Sequence, residues 1–257
     1  MTYKDLFSCE GKIAVVTGGA GLVGREVVKG FHDFGARVYI ADTDRERAGG
    51  LIEGAEIRYV YLDITSEDSI REAIKRISQE SAKIDILVNS AYPRTEDWRL
   101  KLEEVPFESW KTNVNNQLGG YFLCCKLAAE QMKKQGGGVI INLASTYGIV
   151  APNFSIYEGT EMTMPVAYSA IKGGVIALTR YIATYYARYN VRANVISPGG
   201  VFDNQPQPFV EKYSEKVPLG RMANPQEVVG AAIYLASNAS SYVTGHNLVV
   251  DGGWTIW

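Results

Sequence analysis

The chain alternates short apolar runs with amphipathic stretches. Ile13-Ala14-Val15-Val16 is a continuous apolar run ended by Thr17-Gly18-Gly19, the pattern of a strand covered on both faces. A helical period follows from about Leu22 to Phe34 and stops at Gly35, a good C-terminal capping residue. Further strand-like segments fall at Arg37–Ala41, closed by Asp42, and at Ile57–Tyr61, Ile84–Val88, Val139–Leu143, Val191–Ile196 and Asn247–Val250. Helical patterns fill the gaps. Thr65-Ser66-Glu67-Asp68 resembles a capping box and opens a helix to about Ser78. A longer helix covers about Phe107–Gln135 and is stopped by Gly136-Gly137-Gly138. Another covers about Ala167–Tyr189, and a last one, opened by Asn224-Pro225, covers about Gln226–Ser237.

Strands alternating with helices imply a parallel sheet covered on both faces, so the expected fold is α/β, a doubly wound parallel sheet. No repeat, low-complexity tract or linker divides the chain, and residues 1–257 are expected to form a single domain. Ile149–Val166 and Gly200–Val217 lack periodicity, and both follow a strand. Loops in that position surround the ligand crevice of an open α/β sheet, and long ones there are more often functional than accidental.

Composition narrows the partners. Hydrophobic residues make up 46% and charged residues 21%, with a formal net charge of −2, as in an ordinary soluble domain. Lys and Arg are scattered in ones and twos, so nucleic acid is not an expected partner. No apolar run approaches the roughly 18 residues of a membrane span, and Met1-Thr2-Tyr3-Lys4-Asp5 lacks the apolar core of a secretory signal. Three cysteines, two of them adjacent, read as reduced thiols and a cytoplasmic location. With only His32 and His246, and no Cys-x-x-Cys, no metal site is expected.

Thr17-Gly18-Gly19-Ala20-Gly21-Leu22-Val23-Gly24 lies between the first strand and the first helix, where a dinucleotide site requires a glycine-rich turn. Glycines let the main chain approach a pyrophosphate, and the helix start supplies free N–H groups. Asp42 ends the second strand, where its carboxylate can accept hydrogen bonds from an adenosine ribose and repel a 2′-phosphate. The expected cofactor is therefore NAD; Arg45 and Arg47 keep NADP as the alternative.

Here the chain resembles the short-chain dehydrogenase/reductase family, in its single-domain branch of about 250 residues with a Rossmann-like fold. The likeness runs from Gly11-Lys12-Ile13 to Asp251-Gly252-Gly253. It rests on the glycine turn, Asp63, Val88-Asn89-Ser90-Ala91, Asn142-Leu143-Ala144-Ser145, Tyr168-Ser169-Ala170-Ile171-Lys172, Ser197-Pro198-Gly199, Pro218-Leu219-Gly220-Arg221 and Tyr242-Val243-Thr244-Gly245. The resemblance implies that Gly18, Gly21, Leu22 and Val23 cradle the cofactor. It places Asp63 and Ile64 by the adenine, Asn89 and Ala91 by the ribose region, and Pro198, Gly199 and Val201 near the nicotinamide.

The same resemblance implies a catalytic set. Sixteen tyrosines and thirteen lysines would give roughly one Tyr-x-x-x-Lys by chance, so that motif proves little alone. Only Tyr168 has it, with Lys172 one turn on along the same helix face. A tyrosine near pKa 10 is a poor base at neutral pH, and a neighbouring ammonium with the positive nicotinamide ring favours the phenolate. Lys172 would also hold the nicotinamide ribose, and Ser145 would hydrogen-bond the substrate oxygen. Gly173-Gly174 cost about 1 kcal/mol each inside a helix, which makes sense if another segment passes close by.

Four departures stand out. Ser145 and Tyr168 are 23 residues apart where the family usually has about 13. Tyr157 is almost at the usual spacing, but Glu161 rather than lysine follows it, so Tyr168 is taken as the base. The extra residues, about ten, read as an enlarged substrate wall that includes Tyr157. Gln117 occupies the position of the family's catalytic asparagine, with Asn115 and Asn116 as alternatives. Leu22 replaces a glycine, giving a spacing more typical of the family's larger epimerase and dehydratase branch. Tyr92-Pro93 stands where a glycine is usual, and the Tyr92 ring is expected in the pocket.

The leading expectation is NAD(H)-dependent interconversion of a secondary alcohol and a ketone. An NAD-dependent sugar epimerase or dehydratase is the runner-up, and a catalytically idle NAD-binding protein is a third reading. Arg94, Arg99, Glu158, Thr160, Glu161, Asp203, Asn204, Gln205 and Gln207, with Tyr92, Phe154, Tyr157 and Phe202, suit a polyhydroxylated substrate. The Asn-Ser-Ala-Tyr-Pro-Arg and Gln-Leu-Gly-Gly segments also resemble family members found with bacterial surface-glycan biosynthesis. The family resemblance implies a homotetramer or homodimer through the two long helices and the C-terminal segment. Phe122, Leu123, Cys124, Cys125, Tyr181, Tyr185, Tyr186, Trp254 and Trp257 are the candidate interface residues.

Overall fold

Each apolar run becomes a strand in the computed structural model, which describes residues 2–52 and 56–257; Met1 of the N-terminal reading lies outside them. The strands are β1 (Ile13–Thr17), β2 (Arg37–Asp42), β3 (Ile57–Tyr61), β4 (Ile86–Asn89), β5 (Gly138–Leu143), β6 (Val191–Pro198) and β7 (Asn247–Val250). They form one parallel sheet in the order β3-β2-β1-β4-β5-β6-β7. Side chains alternate between the two faces, as a period of two demands. Val15, Tyr39, Leu87, Ile140 and Val195 join one core, and Ala14, Ile40, Val88, Ile141 and Ile196 join the other.

The α-helices among the described residues are α1 (Leu22–Asp33), α2 (Arg45–Gly49), α3 (Glu67–Ser81), α4 (Phe107–Val114), α5 (Gly120–Gln135), α6 (Val166–Tyr186), α7 (Gln207–Glu215) and α8 (Val229–Ala236). α1 and α8 cover one face of the sheet; α3, α5 and α6 cover the other. The architecture is the expected single-domain, Rossmann-like doubly wound fold. No helix among the described residues is long and apolar enough to cross a membrane.

Local chemistry departs from the expectation in three places. Ser66, not Thr65, caps α3, its hydroxyl accepting from Ser69 N at 3.3 Å, while Thr65 turns back onto Asp63. The long helix over 107–135 is broken by a π-helical turn at Asn115–Gly119. Such turns add one residue to the helix and re-aim the side chains they carry. Within Gly200–Val217 lies α7, whose buried residues are Phe209 and Tyr213, one turn apart.

The inserted segment folds as a wall. Ile156 and Tyr157 pack with Tyr147, Phe209, Tyr213, Val217, Met222 and Trp254 in a third, smaller core. Tyr213 stacks on Trp254 with centroids 4.5 Å apart. This cluster borders Tyr168, so the insertion, α7 and the C-terminal segment close one side of the crevice at the carboxyl ends of the strands.

Candidate active site

β1 delivers the chain to α1 through a turn that only glycine permits. Gly18 has φ +64°, and a Cβ there would lie 2.6 Å from Ala91 Cα; at Gly24 it would lie 2.1 Å from the Gly18 oxygen. No side chain caps α1, so its first N–H groups, on Leu22 and Val23, face the turn. A backbone cradle with an uncapped helix start suits a pyrophosphate. The turn lies at the sheet's switch point, since the chain leaves β1 for β2 on one side and returns to β4 on the other.

Asp42 braces this turn. Its Oδ2 accepts from Ala20 N at 3.0 Å and its Oδ1 from Asp44 N at 3.1 Å. Tyr59 donates to the Asp42 carbonyl at 2.8 Å, and the Arg45 guanidinium lies 5.7 Å from the Tyr59 ring centroid. Asp63 follows β3 and accepts from Thr65 N and Oγ1 at 2.9 and 2.8 Å. The Ile64 side chain is buried, with its carbonyl against Gly120, where a Cβ would come within 2.6 Å.

The Asn89 side chain is committed inside the protein. It is fully buried and donates to Asn142 Oδ1 at 2.8 Å, while Thr17 Oγ1 donates to its Oδ1 at 3.4 Å. Asn142 donates in turn to Thr179 Oγ1 at 2.8 Å, and Thr179 to the Val175 carbonyl at 2.7 Å. This chain of buried amides and hydroxyls ties β1, β4, β5 and α6 together beneath the crevice. With every partner inside the protein, the Asn89 side chain is not available to a ribose. Across the crevice, Gly199 N donates to the Val250 carbonyl at 2.9 Å, and Val201 bridges to Ala223 just beyond Pro198.

The structure brings Ser145, Tyr168 and Lys172 together. Ser145 caps the short turn Thr146–Gly148, its hydroxyl accepting from Tyr147 N at 3.2 Å. Gly148 lets that turn touch α6: a Cβ there would lie 2.7 Å from the Lys172 carbonyl carbon. Of the two glycines inside α6, Gly174 meets a neighbouring segment, since a Cβ there would lie 2.7 Å from Leu118 Cδ2, whereas at Gly173 a Cβ would make only an ordinary contact at 3.7 Å. Lys172 is buried, and its Nζ donates to the Leu143 carbonyl at 2.9 Å. Three tyrosine rings surround that ammonium, with centroids at 5.5 Å (Tyr168), 5.6 Å (Tyr121) and 5.7 Å (Tyr92).

Burial dominates the electrostatics. It lowers the Lys172 ammonium to about 8 and raises the Tyr168 phenol, with a hydrogen bond from Ser145 opposing the rise. The expected drop at Tyr168 is therefore not produced by the protein's own groups, because desolvation disfavours both charged forms.

The π-helical turn sorts the three amides offered for the asparagine position. Gln117 points inward, 2% exposed, and its Nε2 donates to the Pro93 carbonyl at 2.8 Å. Its Oε1 is buried without a hydrogen-bond partner. Asn115 is exposed and Asn116 is half-buried. Tyr92 packs edge-on against Tyr168, centroids 5.7 Å apart. Tyr157 stands in the wall, its hydroxyl 3.4 Å from that of Tyr147 and its phenol pushed up to about 12 by burial. Phe202 is 42% exposed and lies outside the aromatic cluster.

Sequence reasoning missed Trp98, Tyr121, Asn113 and Tyr213. Trp98 is buried, 6.4 Å from the Tyr168 ring centroid. Tyr121 lies one turn beyond Gln117, a spacing that was readable, and its buried hydroxyl also lacks a partner. Asn113 anchors the loop after β4, and Tyr213 accepts from Gly200 N. Among the candidate interface residues, Phe122, Tyr181, Tyr185 and Trp257 are exposed. Cys124, Cys125, Tyr186 and Trp254 are instead buried within the chain, because packing against the sheet and α7 claims them.

Fold and site together define a nicotinamide-dependent oxidoreductase. A family profile described as enoyl-(acyl carrier protein) reductase matches residues 19–255. The chain is 34% identical to the post-translational flagellin modification protein A of Campylobacter coli, over 95% of this chain and 98% of that protein. A short-chain dehydrogenase from Leptospira borgpetersenii serovar Hardjo-bovis, solved with bound NAD+, superposes with a TM-score of 0.90 at 34% identity, covering 100% and 98% of the two chains. A gluconate 5-dehydrogenase from Burkholderia cenocepacia, in complex with NADP and tartrate, gives 0.87 at 30% identity, covering 98% of each. The chain belongs to the short-chain dehydrogenase/reductase family, whose members act on CH–OH groups of small molecules.

Proposed function

We propose that the protein is an NAD(H)-dependent dehydrogenase that interconverts a secondary alcohol and a ketone on a polyhydroxylated small molecule. The observation that carries this reading is the meeting of Tyr168, Lys172 and Ser145 at the carboxyl edge of the sheet, beside a glycine cradle. In the oxidative direction the Tyr168 oxygen takes the substrate's hydroxyl proton; in the reductive direction it returns one to the carbonyl oxygen. Ser145 orients that oxygen, which lowers the barrier by fixing the reacting geometry. Lys172 has N–H donors left beyond its bond to Leu143, and these would hold the nicotinamide ribose. Bound NAD+ would supply the hydride acceptor and a positive ring that favours the phenolate against the effect of burial. Gln117, held by Pro93, would complete the proton path at its unpartnered oxygen.

Asp42 supports NAD, since a carboxylate at the end of β2 repels a 2′-phosphate. The polar rim of the crevice supports a polyhydroxylated substrate, as does the similarity to a gluconate 5-dehydrogenase. The exposed Phe122, Tyr181, Tyr185 and Trp257 support a homotetramer or homodimer. The test is a panel of sugars and polyols with NAD+ and NADP+, followed by absorbance of the reduced nicotinamide. Turnover with NAD+ on polyols is expected. Turnover only with NADP+ would refute the reading of Asp42, and oxidation of no alcohol in the panel would refute the function.

A further inference from the structure

The loop between β4 and α4 carries two guanidinium groups that the reaction above does not use. Arg94 lies over the Tyr92 ring, its Cζ 5.1 Å from the centroid, and Tyr92 packs edge-on against Tyr168. One ring therefore separates Arg94 from the reacting phenol. Arg99 follows Trp98, whose ring centroid is 5.7 Å from that of Tyr92. Burial raises the Tyr92 phenol, and Arg94 and Arg99 oppose that rise, so both cations lie within electrostatic reach of its hydroxyl.

Neither cation is tied up in a direct contact with an acid. Among the described residues neither forms an ion pair, and of the two acids between them Asp97 accepts from Ser109 Oγ at 2.8 Å. Glu96, on the same loop, is exposed and likewise outside any ion pair among the described residues. The loop itself is pinned on both sides of Arg94. Gln117 Nε2 donates to the Pro93 carbonyl at 2.8 Å, and Asn113 accepts from Thr95 N at 3.2 Å and donates to Thr95 Oγ1 at 2.7 Å. Ser109, Asn113 and Gln117 are all buried, so the backbone that presents Arg94 is fixed from below by groups shielded from water. Arg94 is exposed on this pinned backbone, so only its side chain needs ordering on binding, and its planar guanidinium fork matches carboxylate and phosphate oxygens.

We infer that Arg94, assisted by Arg99, binds an anionic group on the substrate, a carboxylate or a phosphate monoester, so that the preferred substrate is a hydroxy acid or phosphorylated polyol rather than a neutral alcohol. This rests on the dehydrogenase reading and deepens it. The test compares glucitol, gluconate and glucitol 6-phosphate as substrates with NAD+, for the wild type, Arg94→Lys, Arg94→Gln and the Arg94→Gln/Arg99→Gln pair. The same compounds are titrated against intrinsic tryptophan fluorescence, which reads binding without turnover.

One anionic compound is expected to exceed glucitol in kcat/KM by ~10- to 100-fold, the span of a charge-assisted hydrogen-bonded contact. The excess resides in KM, collapses in Arg94→Gln, and survives partly in Arg94→Lys. A preference for gluconate identifies a carboxylate site, and one for glucitol 6-phosphate a phosphate site. Glucitol used as well as both anions overturns the inference, as does an anion preference that survives the double substitution. If none of the three is oxidised, saturable binding of an anion that Arg94→Gln abolishes still supports the anion site, and its absence overturns it. Failure of all alcohols in the broader panel counts against the dehydrogenase reading instead.

Discussion

An alanine at Gly148 tests whether the contact between the Ser145 turn and α6 sets the reactive geometry. A Cβ there lies 2.7 Å from the Lys172 carbonyl carbon, 2.8 Å from its oxygen and 2.9 Å from Gly173 N. All three are helix backbone and cannot swing aside as the tip of a side chain can. Favourable contact begins near 3.5 Å, so turn and helix must part by roughly 0.7–1 Å. That gap opens between Ser145, three residues upstream, and the stretch of α6 that carries Tyr168 and Lys172. A misplacement of about 1 Å costs on the order of 100-fold in rate, and overpacking of this kind costs about 1–3 kcal/mol in stability. Gly148→Ala is therefore expected to lower kcat by ~100-fold while NAD+ binding, which depends on the β1–α1 turn, is largely kept. Gly173→Ala is the control: its Cβ would meet only the Gly148 oxygen, at 3.7 Å, an ordinary contact. Steady-state kinetics on both variants, with NAD+ titrations and thermal melts, make the comparison. A Gly148→Ala enzyme with kcat near that of the wild type, or equal damage from Gly173→Ala, would refute the reasoning.

Lys172→Met removes an ammonium whose pKa burial lowers to about 8. The folded chain binds that proton less tightly than the unfolded chain, so the cost is full below about pH 8 and fades as pH rises toward the ordinary lysine value. The variant should be inactive yet melt higher at pH 7, by about 1–2 kcal/mol after the lost bond to Leu143, and the gap should narrow between pH 8 and 10; a lower melting temperature at pH 7 contradicts this. Asp42→Ala loses the acceptors for Ala20 N and Asp44 N together with the charge. The ratio of kcat/KM for NAD+ over NADP+ should fall by ~10-fold or more, and an unchanged ratio would show that Asp42 does not select the cofactor.

The central strands β1 and β4 were readable because a strand buried on both faces is written as an apolar run, and the more polar segments of β3, β6 and β7 were placed by their alternation with helices; all seven became strands. α7 was not readable: two prolines and a polar face leave only Phe209 and Tyr213 to mark it, and their partners Tyr157 and Trp254 come from distant segments. The π-helical turn has no local signature, yet it decides that Gln117 rather than Asn115 faces the site. Tyr168 and Lys172 were legible because i, i+4 spacing fixes their shared face before any tertiary contact forms. Their protonation was not, because desolvation depends on what the fold stacks above them. The same limit applies to Trp98 and Arg94, whose places by Tyr92 are set by Asn113 and Gln117 pinning a loop. Tyr186 and Trp254, offered for an interface because the family resemblance implied one through the long helices and the C-terminal segment, are claimed by the chain's own packing.

The central claim is that the Tyr168 oxygen carries the proton that accompanies oxidation of the substrate. Tyr168→Phe removes that oxygen and leaves the ring that packs against Tyr92 and Trp98. The measurement is kcat with saturating NAD+ and the best alcohol from the panel, alongside NAD+ affinity. The account predicts a loss of ~10²- to 10⁴-fold in kcat with NAD+ still bound; a Tyr168→Phe enzyme that turns over at the wild-type rate would contradict it.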